Sequence, residues 1–247
     1  NPRDRRLLYV LAVRLIETGH EVEADSVLAQ LLQTDPANLS CHPLWLTAAV
    51  PHCPTSSAAH SRAVKRFMER VEAFRHAFSE QHGPHWRALA HSIDGLPSPF
   101  SLSYWPHDLK PALSRWGQAM TALVARDDTP LPPPRARIQL MLVSPHLCGH
   151  SVWYVFLRCW LEFFDRRFFD LTAVHLGVKK DGNTEWAQKQ VQGFCHREED
   201  YGAFVRAQSP DVIFYPDSFT HDQTVYLACQ RLAPLQVSTW GHPVTSG

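Results

Sequence analysis

Two short stretches of this 247-residue chain gather the residue types that polar chemistry needs. One is Ser144-Pro145-His146-Leu147-Cys148-Gly149-His150-Ser151. The other is Trp240-Gly241-His242-Pro243-Val244-Thr245-Ser246-Gly247. Imidazole titrates near neutrality, so His150 can give or take a proton at a reacting hydroxyl or amide, and His242 can contact a bound ligand. Glycine lets backbone approach a ligand closely, which suits Gly149 and Gly241. Thr245 and Ser246 offer hydroxyls to a sugar or phosphate, or cap a following helix. Each histidine also has a plain structural reading, as a helix cap for His150 and as loop packing for His242. His146 and His150 stand four apart with Cys148 between them, which invites a zinc reading. Zinc needs a third or fourth ligand in reach, and Gly149 interrupts the helix that would align the pair, so no metal is expected.

The elements that must hold these loops alternate in period. Ile138 to Val143 (IQLMLV) is a short apolar run of the kind found in buried parallel strands. Ser151 to Phe164 reads as an aromatic helix, Phe168 to Leu176 as a strand and Thr184 to Val191 as a helix. Glu199 to Ala207 is helical, Asp211 to Tyr215 (DVIFY) is a strand, Gln223 to Arg231 is helical and Leu235 to Thr239 is a fourth strand. Strands alternating with helices of this length predict a doubly wound parallel sheet. Ligands bind such sheets at the carboxyl ends of the strands, where both loops fall. The amides around Gly149 and His150 are then expected to face outward, toward an anion or a sugar oxygen. The run Trp153, Tyr154, Phe156, Trp160, Phe163 and Phe164 is expected to pack between helix and sheet. This pattern predicts a binding cleft and nothing sharper.

The front of the chain has a different rhythm. Leu8, Leu11, Ala12 and Leu15 recur at helical spacing, Gly19 closes that helix, and Ala24, Leu28 and Leu31 mark a second. Asp35-Pro36 stops it. With the closing Asp35-Pro36-Ala37-Asn38, this hairpin resembles one tetratricopeptide repeat. Arg62 to Glu80 and Ala112 to Ala125 are further helices, Cys41 to Ser57 is broken by prolines, and Gly83 to Pro134 is a transition. The division expected is an all-α repeat-like domain at 1–126, a polyproline-type linker at 127–136 and a Rossmann-like domain at 137–247. A formal net charge of zero and no sustained basic stripe argue against nucleic acid as the main partner. No apolar run reaches the roughly 18 residues of a membrane span. The scattered cysteines lack any C-x-x-C pair and no leader pattern opens the chain, so reduced thiols and a cytoplasmic location are expected.

Arg231-Leu232-Ala233-Pro234-Leu235-Gln236, followed by Gly241-His242-Pro243-Val244-Thr245-Ser246, resembles the pattern R-x-A-P-[IL]-Q … L-G-[YH]-P-x-T-[ST]. That pattern belongs to the O-GlcNAc transferases and their bacterial relatives, the cytoplasmic asparagine N-glucosyltransferases. Pro210-Asp211-Val212-Ile213-Phe214-Tyr215-Pro216 and Gly149-His150-Ser151 are similar to the N-glucosyltransferase version, and Asp181-Gly182-Asn183-Thr184 resembles a family loop. The resemblance implies the first lobe of a two-lobed GT-B glycosyltransferase behind a tetratricopeptide-like segment. It implies inverting, metal-independent transfer of glucose or GlcNAc from a UDP-sugar, the co-substrate, to Asn or Ser/Thr of a protein or peptide, with no further cofactor and no membrane partner. Self-association stays open. The donor-binding lobe is expected beyond Gly247.

For individual residues the resemblance implies a catalytic role for His150 and substrate contacts for Gly149, Gly241, His242, Pro243 and Thr245. His196 falls where the family has a cleft-lining histidine. Trp153 stands where the O-GlcNAc transferases carry a second histidine, and a family lysine and arginine are replaced near His221 and Thr224. The histidine of Gly241-His242-Pro243 is the N-glucosyltransferase choice. Two other readings stay open: a repeat scaffold whose transferase half has decayed, and a two-lobed transferase acting on a small molecule or lipid.

Overall fold

The computed structural model describes residues 4–36, 38, 41–50, 56–78, 96, 98–105, 108–125, 132–133, 135–196, 200–217 and 220–239. Much of the expected transition and linker therefore lies outside the described residues. The chain divides between Val124 and Ala125 into two compact units, Asn1–Val124 and Ala125–Val244.

The described part of the first unit is helical. Asp4 caps α1 (Arg5–Glu17) by accepting from the Arg6 and Leu7 amides. Gly19, at φ 77°, then turns the chain toward α2 (Glu21–Thr34), a left-handed conformation that costs glycine nothing sterically. Ala12 and Ala24 are fully buried, and their small size lets the two helices lie close while Leu28 and Leu31 fill the core. The Asp35 carboxylate ends the hairpin by accepting from Arg5 and Asn38. Next come α3 (Cys41–Thr47), α4 (Ser57–Ala77), a 3₁₀ turn at Phe100–Tyr104 and α5 (Lys110–Val124). Arg70 of α4 ties three of these together: it pairs with Asp25, donates to the Trp45 carbonyl and lies over the Trp45 ring.

The second unit is a five-stranded parallel sheet with helices between its strands. Its elements are β1 (Ile138–Ser144), a π-helical turn (Trp153–Leu157) running into α6 (Arg158–Phe163), β2 (Phe169–His175), α7 (Gly182–Lys189), β3 (Gly193–His196), α8 (Tyr201–Gln208), β4 (Val212–Tyr215), α9 (Asp222–Cys229) and β5 (Leu235–Ser238). The spatial order is β3-β2-β1-β4-β5, and every pairing is parallel. One strand more is present than the apolar runs predict. Gly193–His196 is short and starts on glycine, so it shows no run or alternation, yet it pairs with β2 from Thr172 to His175. The continuous run in β1 has a direct cause. Leu140 and Leu142 pack on one face with Trp153, Leu157 and Leu161, while Met141 and Val143 pack on the other with Val205, Ile213 and Leu227. A strand buried on both faces has no polar side to show.

Candidate functional site

The chain leaves β1 toward β2 on one side and returns to β4 on the other, so the carboxyl ends of β1 and β4 flank the topological switch point of the sheet. A polar cluster fills that point. Ser144, the last residue of β1, donates its hydroxyl to Asp217 Oδ2 at 3.1 Å and accepts from the His146 amide at 3.0 Å. Asp217 follows β4 and is completely buried. Its Oδ1 has no hydrogen-bond partner among the described residues. Burial pushes the Asp217 carboxyl up to about 7, against the opposing pull of the Ser144 and Thr220 hydroxyls. His146 Nε2 lies 3.4 Å from Asp217 Oδ2 and 3.1 Å from Thr220 Oγ1. Burial, and then the neighbouring His150, His221 and His175, bring the His146 imidazole down to about 4.

His150 stacks on His146, with ring centroids 3.6 Å apart and planes within 6°. Its Nδ1 accepts from the Val152 amide at 3.2 Å, so the residue caps the helix that begins at Ser151. An Nδ1 that accepts leaves the proton of the neutral ring on Nε2. Burial and then Lys179 hold the His150 imidazole below its ordinary value. The amide of Gly149 does not face outward as expected, because it donates to Asp181 Oδ2 at 2.7 Å. Lys179 Nζ donates to the Gly149 carbonyl at 3.1 Å. A side chain at Gly149 would stand 3.0 Å from Asp181 Oδ2 and 3.3 Å from both Lys179 Nζ and Tyr154 Oη, so the glycine is what lets these three close around the loop.

Asp181 ties this loop to α7. It caps that helix by accepting from the Asn183 and Thr184 amides, while Thr184 accepts from the Asp181 amide in return. Losing a cap of this kind costs about 0.5–2 kcal/mol, and Asp181 also holds the Gly149 amide. Asp181→Ala is therefore expected to lower stability by about 2 kcal/mol at neutral pH, measured by urea denaturation. The Gly149 amide, first among several donors, lowers the Asp181 carboxyl below its usual range. Its contribution is thus complete above about pH 4, the unfolded value, and fades as pH falls through the lower folded value. A difference between variant and wild type that stays constant into acid would refute this.

His196 closes β3 and registers opposite His175, which in turn registers opposite Ser144, so three neighbouring strand ends carry Ser144, His175 and His196. His196 Nε2 bonds the Gly177 carbonyl at 3.0 Å, and its ring stacks on that of the fully buried His175. The structure thus brings His150, Gly149 and His146 together and sets His196 two strands from β1. Gly241, His242, Pro243 and Thr245 lie outside the described residues. Among the described residues no group of three or more His, Cys, Asp or Glu side chains is arranged to hold a metal ion. No described helix is long and apolar enough to cross a membrane.

Sequence reasoning missed Asp217 and Lys179, named Asp181 only within a loop resembling the family, and placed Tyr154 and Phe163 in the core, whereas the structure leaves both exposed. A capping-box spacing, Asp181-x-x-Thr184, was the available signal for one of them. Trp153 is fully buried against β1 and sets its ring edge-on to Trp186, so the position expected from the resemblance to carry a second histidine belongs to the core.

No protein-family model matches the sequence, and no curated protein matches it. Among solved structures the chain is similar to a point mutant of the Thermobaculum terrenum O-GlcNAc transferase, with a TM-score of 0.53 and 20% sequence identity. The likeness covers 96% of this chain and 44% of that one, so this chain spans less than half the length of the transferase. The fold of this chain is therefore O-GlcNAc transferase-like.

Proposed function

We propose that this chain forms the acceptor-side lobe of an inverting protein glycosyltransferase, which moves glucose or GlcNAc from a UDP-sugar to Asn or Ser/Thr side chains. The observation that carries the reading is the Ser144–His146–His150–Asp217 cluster at the switch point of an O-GlcNAc transferase-like sheet. Ligands of open α/β sheets bind there, and the cluster offers proton-handling groups and hydrogen-bond donors rather than an apolar floor. Trp153 counts against a decayed site, because it fills the core and leaves the polar cluster intact. A GT-B enzyme binds its donor mainly on a second lobe, so the reading applies to the whole protein that carries this chain.

The test incubates that whole protein with isotopically labelled UDP-glucose or UDP-GlcNAc and a mixture of Asn-, Ser- and Thr-containing peptides. Labelled peptide is expected, and it should form equally well in EDTA. Label appearing only in water or lipid would exclude the protein acceptor. Loss of transfer in EDTA, restored by a divalent ion, would overturn the metal-free part of the reading.

A further inference from the structure

The hydrogen bonds around the switch point assign each proton in turn. Thr220 directs its single hydroxyl proton at Asp217, toward the main-chain carbonyl at 2.9 Å and Oδ2 at 3.4 Å. Its oxygen therefore meets His146 Nε2 as an acceptor, and the Ser144 hydroxyl proton is already committed to Asp217 Oδ2. Nε2 of His146 then carries the proton and donates it to Thr220, while Asp217 Oδ2 lies 3.4 Å from the same nitrogen without a hydrogen bond to it. The other ring nitrogen, Nδ1, keeps a bare lone pair and takes no hydrogen bond among the described residues. The His146 side chain retains 17% of its exposure, so part of the ring meets solvent. His150 is wired in the opposite sense, since its Nδ1 is spent on the Val152 amide and its Nε2 holds a proton.

We infer that His146, oriented by Asp217, is the base that takes the acceptor's proton, and that His150 beside it serves as a hydrogen-bond donor. The inference rests on the transferase reading above. In the step this geometry supports, the acceptor's oxygen or amide nitrogen forms a bond to the anomeric carbon of the nucleotide sugar. The bond from that carbon to the diphosphate oxygen breaks, and its electron pair leaves with the nucleoside diphosphate. The acceptor's proton moves to His146 Nδ1. The imidazolium so formed is stabilised by the Asp217 carboxylate behind Nε2, an arrangement in which a buried acid fixes both tautomer and orientation of a histidine. Asp217 acts through His146 and is a positioning residue.

The charged and titratable groups around His146 are Asp217, His150, His175 and His221, with Lys179 against His150. Two imidazoles stacked at 3.6 Å resist double protonation. An Asp217 oxygen without a donor resists ionisation. Burial favours the protonated carboxyl of Asp217 and the neutral imidazole of His146, so the two titrate as a coupled pair, and His146 is backed by a carboxylate only above neutral pH.

The test combines nitrogen NMR of histidine-labelled whole protein with transfer kinetics. Above neutral pH, both His146 and His150 are expected to show a protonated Nε2 and a bare Nδ1. His146→Gln is expected to lower kcat roughly a hundredfold with little change in KM for the nucleotide sugar. Asp217→Asn is expected to lower kcat and to move the acid limb of the pH–rate profile to lower pH, because the histidine loses the carboxylate that favours its charged form. A proton on His146 Nδ1 overturns the assignment without any kinetic variant having to fold. So does His146→Gln that transfers at the wild-type rate with an unchanged acid limb, and either result leaves the transferase reading standing. A wild-type protein that transfers from no nucleotide sugar overturns the transferase reading, and this assignment with it.

Discussion

Trp153→Ala is expected to destabilise the protein by about 3–5 kcal/mol, the range for truncating a large buried aromatic side chain. Trp153 is fully buried among Leu140, Leu142, Leu157, Leu161 and Ala187, so alanine would leave a cavity lined by β1, α6 and α7. The helix has little room to collapse into it. The π-helical turn starting at Trp153 already fits an extra residue into that face, and Leu157 and Leu161 are themselves fixed against the sheet. The indole nitrogen complicates the loss slightly, since Trp153 Nε1 has no partner among the described residues. Trp153→Phe removes that unsatisfied donor along with part of the volume and is expected to cost much less than alanine. Urea denaturation of both variants reads the comparison. A Trp153→Ala protein as stable as wild type would mean that the position is not core, and would reopen it as part of the cleft.

What the sequence discloses tracks how local the cause is. The runs around Leu140–Val143 and Ile213–Tyr215 are legible because two-sided burial leaves an uninterrupted apolar signature. β3 is not, because a four-residue edge strand starting on Gly193 is defined by its pairing with Thr172–His175 and not by its own composition. The same division runs through the site. His150 is legible as a histidine placed after a strand and beside a glycine, and both the capping and the polar readings of it rest on neighbours in sequence. Asp217 reads as an ordinary turn residue after Pro216; its burial and its bonds to Ser144 arise from a residue 73 positions away. The outward amide expected of Gly149 fails for the same reason. The carboxylate that occupies it, Asp181, lies 32 residues on and announces itself locally only as a helix cap. Residues that terminate elements can be read from their own surroundings, whereas residues that meet across the sheet ends require the strand order first.

The imidazole of His150 has two jobs that a pair of substitutions can separate. As a cap it accepts from the Val152 amide, and replacing a capping side chain by alanine costs about 0.5–2 kcal/mol. As a donor its Nε2 proton is left over from the cap on a ring stacked on His146, and losing one such positioned group lowers turnover roughly a hundredfold. His150→Ala should therefore show both losses: a modest fall in thermal stability and a hundredfold fall in kcat. His150→Ser keeps a short side-chain acceptor for the helix amide but cannot reach as far as the imidazole. It is expected to recover the stability and to leave the kinetic loss in place, with the acid limb of the pH–rate profile moved to higher pH, since the His150 charge that helps hold the His146 imidazole down is gone. Thermal melts and steady-state transfer assays on the whole protein measure the two effects independently. If serine restores turnover together with stability, His150 is a helix cap and nothing more. If alanine unfolds the protein as badly as Trp153→Ala does, the loop belongs to the core, and the cleft must be sought elsewhere along the strand ends.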